Sequence, residues 1–284
     1  MSPRTHTTSL DDAVKVFTLL PEGMSVRAVS RVTGIHKTTI LSLLGTVGER
    51  CARLFDVNVQ NLRPRFVQAD ELWTFVQKKQ KRLTPLDPVD FGDQYVWLAL
   101  DSETKAILSF YVGKRDGLSA SEFIGDLSRR MAIGHRCVGH RCQLTTDGLD
   151  GYVPAVEEHF GADVDFAQLV KQYAPPRTDG PDWFRPSARV VAAIPTPITG
   201  DPDIARVSTS HIERANLTVR MHLRRFTRLT NGFSKRLRNL KATVALFVAW
   251  YNFCRVHQTL RITPAMEAGI TDHVWTLRDL LGDG

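Results

Sequence analysis

One stretch, residues 66–76 (FVQADELWTFV), constrains this chain more than any other. It is rich in β-branched and aromatic residues, which suit a half-buried pleated surface, yet it carries two acids, Asp70 and Glu71, at its centre. Side chains alternate across a strand. Val67, Ala69, Trp73 and Phe75 therefore share one face with Glu71, and Gln68, Asp70, Leu72 and Thr74 share the other. An acid in so apolar a strand is costly unless it is paired or holds a metal. Because Glu71 falls on the more apolar side, Asp70 is the preferred functional residue.

The segments that follow define the layer around this strand. Residues 95–100 and 107–112 are also strand-like, and 78–93, with Pro85, Pro88 and Gly92, read as an exposed insertion. Residues 119–131 have helical spacing, 142–146 form a strand ending at Asp147-Gly148, 152–160 are helical and 164–170 strand-like. This order predicts an α/β fold built on a mixed five-stranded sheet with flanking helices. Residues 175–203 hold seven of the fourteen prolines and read as an irregular insertion. Helical patterns return over 207–229 and 237–253, and 261–284 form a tail.

Before the sheet lies a small all-α unit, residues 1–50, joined by a linker, 51–65. Leu10, Val14 and Phe17 mark a first helix that stops at Pro21-Glu22-Gly23. Ser25 caps a second, 25–33, with Val26, Val29 and Val32 inward. Gly34 suits a tight turn, and a third helix covers about 36–44. Two short helices about a glycine turn form a helix-turn-helix pattern. Arg27, His36, Lys37, Thr38 and Thr39 are its candidate DNA contacts.

Charge points the same way. The chain carries a formal net charge of +7 with pI near 9.4, which favours anionic partners. The charge is concentrated: between residues 204 and 262 stand twelve Lys/Arg and a single acid, Glu213, so the remainder of the chain is net acidic. Arg214, Asn216, Arg220, Arg224, Arg225, Arg228, Lys235, Arg236 and Arg238 are therefore candidate contacts to nucleic acid. Hydrophobic residues make up 43% of the chain, no run of 18 apolar residues occurs, and residues 1–12 lack an apolar signal core. Four scattered cysteines show no disulfide-like spacing. A cytoplasmic protein, associated with the nucleoid when bound to DNA and with no membrane partner, is the expectation.

Asp147 closes a strand, where open α/β sheets place their sites. Glu213 stands on a helix whose residues 212, 215, 219, 223 and 226 form an apolar stripe. Two acids on strands and one on a helix can converge on hard divalent cations, which prefer carboxylate oxygens. Two such ions, about 3.5–4 Å apart, can drive in-line displacement at phosphorus. Glu71 and Asp150 remain competitors, and each acid could instead be an ordinary salt-bridged or turn residue. The cluster His135, Cys137, His140, Cys142 offers zinc-ligand types, but its spacing is tighter than common structural sites, and Cys142 opens a strand.

Several of these motifs occur together in one known family. His211-Ile212-Glu213-Arg214-Ala215-Asn216, with Thr218, Arg220, Arg228 and Phe233-Ser234, resembles the C-terminal signature of insertion-sequence-one family transposases. Asp70-Glu71-Leu72-Trp73-Thr74-Phe75-Val76 resembles that family's first catalytic strand, Trp97-Leu98-Ala99-Leu100 its second strand, and Thr146-Asp147-Gly148 stands at its second catalytic aspartate. The resemblance runs over about residues 66–255. It implies an RNase H-like catalytic domain over 66–260, of the DDE class. Asp70, Asp147 and Glu213 would be the catalytic and metal-binding triad for two Mg²⁺ or Mn²⁺ ions. The implied activity is strand cleavage at transposon ends and 3′-hydroxyl strand transfer into double-stranded target DNA, by a homodimer or larger assembly on paired ends. A domesticated DNA-binding regulator and an integrase-like nuclease are the alternatives. Some family members carry a cysteine zinc motif before the helix-turn-helix; here no cysteine precedes Cys51.

Overall fold

Local capping sets the first three helices. Ser9 accepts from the Asp12 backbone N–H and opens α1 (Leu10–Leu19), with Asp11 and Asp12 in its first turn. Ser25 accepts from the Ala28 N–H at the start of α2 (Val26–Thr33), which ends at Gly34 with φ 74°. His36 caps α3 (Lys37–Asn58). The architecture comes from a computed structural model that describes residues 8–132, 141–174, 190–227 and 230–282.

Two expectations for this region change. Val32 is 66% exposed, and only Val29 of the three valines is buried. A repeated step of three falls behind the 3.6-residue turn, so Val32 has rotated off the inner face. Helix α3 continues through residues 51–58, which are not a connector. Its buried positions Ile40, Leu44, Val47, Cys51 and Phe55 keep helical spacing throughout, and nothing interrupts them.

The sheet has six strands, β1 (Phe66–Val76), β2 (Gly92–Asp101), β3 (Ile107–Gly113), β4 (Cys142–Asp147), β5 (Val164–Tyr173) and β6 (Val190–Thr199), in the order β3-β2-β1-β4-β5-β6. β1 is antiparallel to β2, β2 to β3, and β5 to β6; β1–β4 and β4–β5 are parallel. This mixed sheet is consistent with an RNase H-like core. The sixth strand corrects the five-strand expectation and forms part of the proline-rich segment. It is an edge strand, and Pro195 and Pro197 pair with Leu169 and Ala167. Two residues apart, they share one side of the strand, and an edge strand tolerates proline where its missing N–H is not needed for the ladder.

Helices α4 (Gly117–Arg130) and α5 (Tyr152–His159) cover one face, where Trp97 meets Phe123 and Tyr152. The other face receives α6 (Ser210–His222) and α7 (Leu237–Ala249), the latter continued by a π-helical turn, Trp250–Cys254. The apolar stripe Ile212, Ala215, Val219, Leu223 and Phe226 is buried as expected. The helix is shorter than expected, because Leu223 turns extended after α6. Helix α7 is buried on both sides. Val244, Phe247 and Val248 enter the sheet's core, whereas Ala242, Ala245, Leu246 and Ala249 join a second core with α1, α2 and α3. Gly48 makes this seam close: a Cβ there would lie 2.5 Å from the Ala242 Cα. After α8 (Pro264–Glu267), α9 (Leu277–Leu281) returns to the same core through Leu280, and Arg278 pairs with Asp11. Among the described residues, no helix is long and apolar enough to cross a membrane.

Candidate metal centre

The parallel pairing of β1 and β4 builds the site. Ala69 stands opposite Thr146, so the next residues, Asp70 and Asp147, come side by side where β4 ends. Asp70 faces α6, and its Oδ2 accepts from the Asn216 side-chain amide at 2.8 Å. Glu71 faces the opposite side of the strand, toward α4 and α5. Its Oε2 accepts from Arg115 Nε at 3.0 Å, and Arg115 Nη2 reaches Asp147 Oδ2 at 3.4 Å. Asp147 Oδ1 takes the Leu149 backbone N–H at 3.1 Å. One carboxylate oxygen from each of Asp70, Glu71 and Asp147 lies within 4.8 Å of the other two. Parity alone had set Glu71 aside. Its face assignment stands, but β4 ends beside Asp70, and at that fork both faces of β1 are within reach of Asp147.

Electrostatics follow from burial. Burial pushes Asp70 up to about 6, and the neighbouring Asp147 charge adds to this. Burial likewise raises Glu71 to about 7, again reinforced by Asp147 and opposed by Tyr152 and Arg115. The Tyr152 hydroxyl is buried on the Glu71 side of the strand, close enough to stabilise the Glu71 carboxylate, though the contact is not a hydrogen bond of good geometry. An all-oxygen donor set of carboxylates brought this close together fits a hard divalent cation.

Glu213 lines the same cleft, of about 440 Å³, with Asp70, Asp147 and Lys171, but its oxygens lie outside the three-acid group. Lys171 on β5 forms an ion pair with it, and Thr209 Oγ1 donates to Oε1 at 2.7 Å. Partial burial raises its pKa, but these two partners outweigh that and hold Glu213 below the usual glutamate range.

The other candidates divide by position. Asn216 is buried and committed to Asp70. Arg225 Nη1 donates to Ser234 Oγ at 2.9 Å, and burial disfavours its charge. Arg220 is part-buried, whereas Arg27, Arg214 and Arg224 are exposed. The His36 ring is tied to Thr38, with Lys37 exposed and Thr39 half-buried beside it. Lys235, Arg236 and Arg238 join Thr38 and Lys241 in lining a groove of about 970 Å³ between α3, β3 and α7. Arg228 lies outside the described residues, as do His135, Cys137 and His140. Cys142 is a core residue at the start of β4, and burial pushes its thiol far up.

Sequence reasoning missed Arg115, Lys171 and Lys241. Lys171 had a visible signal, a lone cation within the apolar segment VDFAQLVKQY. Arg115 had none, since it follows β3 in an ordinary polar turn.

Neither a protein-family model nor a curated protein matches the sequence. Among solved structures, the chain is similar to the piggyBac transposase synaptic complex with hairpin DNA at 11% identity and TM-score 0.40, covering 99% of this chain and 71% of that one. It is also similar to the Mos1 strand transfer complex, at 13% identity and TM-score 0.23, covering 57% and 60%. A third is the Mos1 mariner paired end complex with Mn, at 12% and 0.24, covering 57% and 61%. The chain thus spans about 60% of the Mos1 chains that it matches. At these values the chemistry of the site rests on its own residues.

Proposed function

We propose that this chain is a DDE-type DNA transposase, akin to the insertion-sequence-one family, that cleaves transposon ends and joins them to target DNA. The observation that carries the reading is Asp70 and Asp147 side by side in a cleft that Glu213 also lines. Burying like charges together is costly unless the site uses them, and this favours an enzyme over a DNA-binding regulator without chemistry.

Asp70, Asp147 and Glu213 would hold two Mg²⁺ or Mn²⁺ ions, which supply Lewis-acid stabilisation of charge building on the phosphoryl oxygens. The chain's own residues do the rest. Asn216 orients Asp70 by its hydrogen bond, and Arg115 fixes Asp147 against Glu71. Lys171 offsets the Glu213 charge in the absence of DNA. Exposed cations around the groove between α3 and α7 bind DNA phosphates. Water attacks the phosphodiester and the bond to the 3′-oxygen breaks, leaving a 3′-hydroxyl. That hydroxyl then attacks a target phosphodiester, forming one P–O bond as another breaks. Two chains holding paired ends would bring both reactions together. The helix-turn-helix and an RNase H-like domain after it remain the proposed division of labour.

The test is Mg²⁺-dependent cleavage and joining on duplexes from the inverted repeats flanking the coding region. Asp70→Ala, Asp147→Ala and Glu213→Ala should each abolish both steps while leaving DNA binding intact. Cleavage at the wild-type rate in all three would overturn the assignment. Cleavage without joining would mark a related nuclease.

A further inference from the structure

We propose that Tyr173 is a stacking platform for an unpaired base beside the phosphodiester at the Asp70–Asp147 site. The inference deepens the DNA-cleaving reading above and rests on it. Strand β5 outruns its neighbour β4, since their parallel pairing stops at Asp147 and Leu169. From Val170 to Tyr173, β5 continues in a ladder with β6 alone, opposite Ile194 at one end and Val190 at the other. The end of β5 is thus half of a two-stranded ribbon that walls the acidic cleft. Lys171 fixes which side of the ribbon meets the acids, because it forms the ion pair with Glu213. Side chains alternate along a strand, so Tyr173 leaves β5 on the same side as Lys171, about 7 Å farther on. The irregularity beside it takes its extra residue, Val191, from β6, so the alternation of β5 is intact.

Two properties single this side chain out. Tyr173 is 57% exposed, and among the described residues it is the one aromatic side chain lining the cleft that holds Asp70, Asp147 and Glu213. The rest of that lining is charged, polar or aliphatic, suited to metal and phosphate but offering no flat face to a base. Every base has a π-face, and stacking on an aromatic ring tolerates any sequence. A strand whose phosphate reaches the carboxylates passes the wall of the cleft where Tyr173 stands. Its nucleotide must leave the duplex stack to meet the ring, and a base that is already unpaired does so at least cost. Tyr173 is then a positioning residue. It holds the strand against β5 and so sets the phosphodiester before the acids, without touching the reacting atoms.

The experiment is fluorescence anisotropy of the full chain in Ca²⁺, a hard cation that offsets the charge of the acids. The probe is a duplex from the inverted repeats carrying a short single-stranded dT tail at the cut position, compared with the same duplex bearing an abasic tail. Removing the bases should weaken wild-type binding by about tenfold, the scale of one base stacked on an aromatic ring. Tyr173→Ala should weaken binding of the dT tail by the same factor, yet bind the abasic tail within about twofold of wild type. Tyr173→Phe keeps the ring and should restore the preference for the dT tail. Melting curves confirm that each variant is folded. Equal losses on both probes would mark a merely structural role and overturn the proposal, as would wild-type binding of the dT tail by Tyr173→Ala. Cleavage in Mg²⁺, measured in parallel, separates this inference from the reading that it rests on. Base-dependent binding without cleavage upholds the platform and overturns the transposase, whereas cleavage without base dependence does the reverse. A chain that binds neither probe overturns both.

Discussion

Asn216 donates its side-chain amide to Asp70 Oδ2 at 2.8 Å, joining the helix that carries Glu213 to the strand that carries Asp70. The bond crosses from α6 to the middle of β1, and among the described residues it is the only side-chain hydrogen bond to the Asp70 carboxylate. Asn216→Ala should therefore loosen Asp70 with little loss of fold. Outer contacts of this kind are worth about 10–100-fold in metal affinity or activity. The half-saturating Mg²⁺ concentration for cleavage should rise on that scale. An unchanged Mg²⁺ titration would show that Asp70 needs no such support.

The buried acids should cost stability in the absence of metal. Asp70 titrates near 6 in the folded chain against 3.8 unfolded, with burial as the main cause. A raised folded value means that the protonated group's contribution is fully present below about pH 4 and is lost as pH climbs past 6. At about 1.4 kcal/mol per unit, Asp70→Asn should stabilise the chelator-treated protein by about 1–3 kcal/mol at pH 8 and by much less at pH 4. Urea unfolding at the two pH values reads this directly, and a less stable variant at pH 8 would contradict it.

Lys171 competes with any cation for Glu213. Replacing it by glutamine should let Glu213 engage metal more readily. A half-exposed ion pair is worth up to about 1 kcal/mol, so the Mg²⁺ requirement of cleavage should fall by about threefold. A higher requirement would mean that Lys171 positions Glu213 for metal binding.

Duplex binding should depend on the groove between α3 and α7. Lys235, Arg238 and Lys241 line it, and among the described residues none of the three forms an ion pair. Each phosphate contact adds about 0.9 to the slope of log affinity against log salt. The triple glutamine variant should lower that slope by about 3 in fluorescence anisotropy, with Mn²⁺ binding unchanged. The same slope as wild type would place the DNA elsewhere.

The close seam between α3 and α7 admits a paired test. At Gly48 a Cβ would meet Ala242 at 2.5 Å, whereas at Gly45 nothing lies within 4 Å. Gly48→Ala should destabilise by about 1–3 kcal/mol through overpacking. Gly45→Ala, in the same helix, should stabilise by about 0.5–1 kcal/mol. Melting temperatures of the two variants must move in opposite directions.

The strands β1 to β5 were legible because their β-branched and aromatic runs are bounded by clear turn signals, and Asp70 and Asp147 stood out against them. β6 was not, because proline counts against a strand unless one knows that it lies at an edge. The length of α3 was hidden by Gly45 and Gly48, which look like a place to stop until α7 is seen packed on one of them. Glu71 is the instructive miss. Alternation assigned its face correctly but says nothing about where the neighbouring strand ends, and that ending brings Asp147 beside both acids. Trp73 and Phe75 lie beyond that point; they pack with each other and with Phe233 instead of filling the core, while Leu72 and Val76 are buried.

Helix α7 belongs to two cores at once, one beneath the sheet and one beneath α1, α2 and α3. A chain that grips a duplex along α3 and cuts it at β1 would thereby carry a built-in ruler. The offset between the gripped sequence and the severed bond would be set by the side chains of one helix that packs into both cores. Substitutions along that seam should then shift where DNA is cut, in addition to how well it is held.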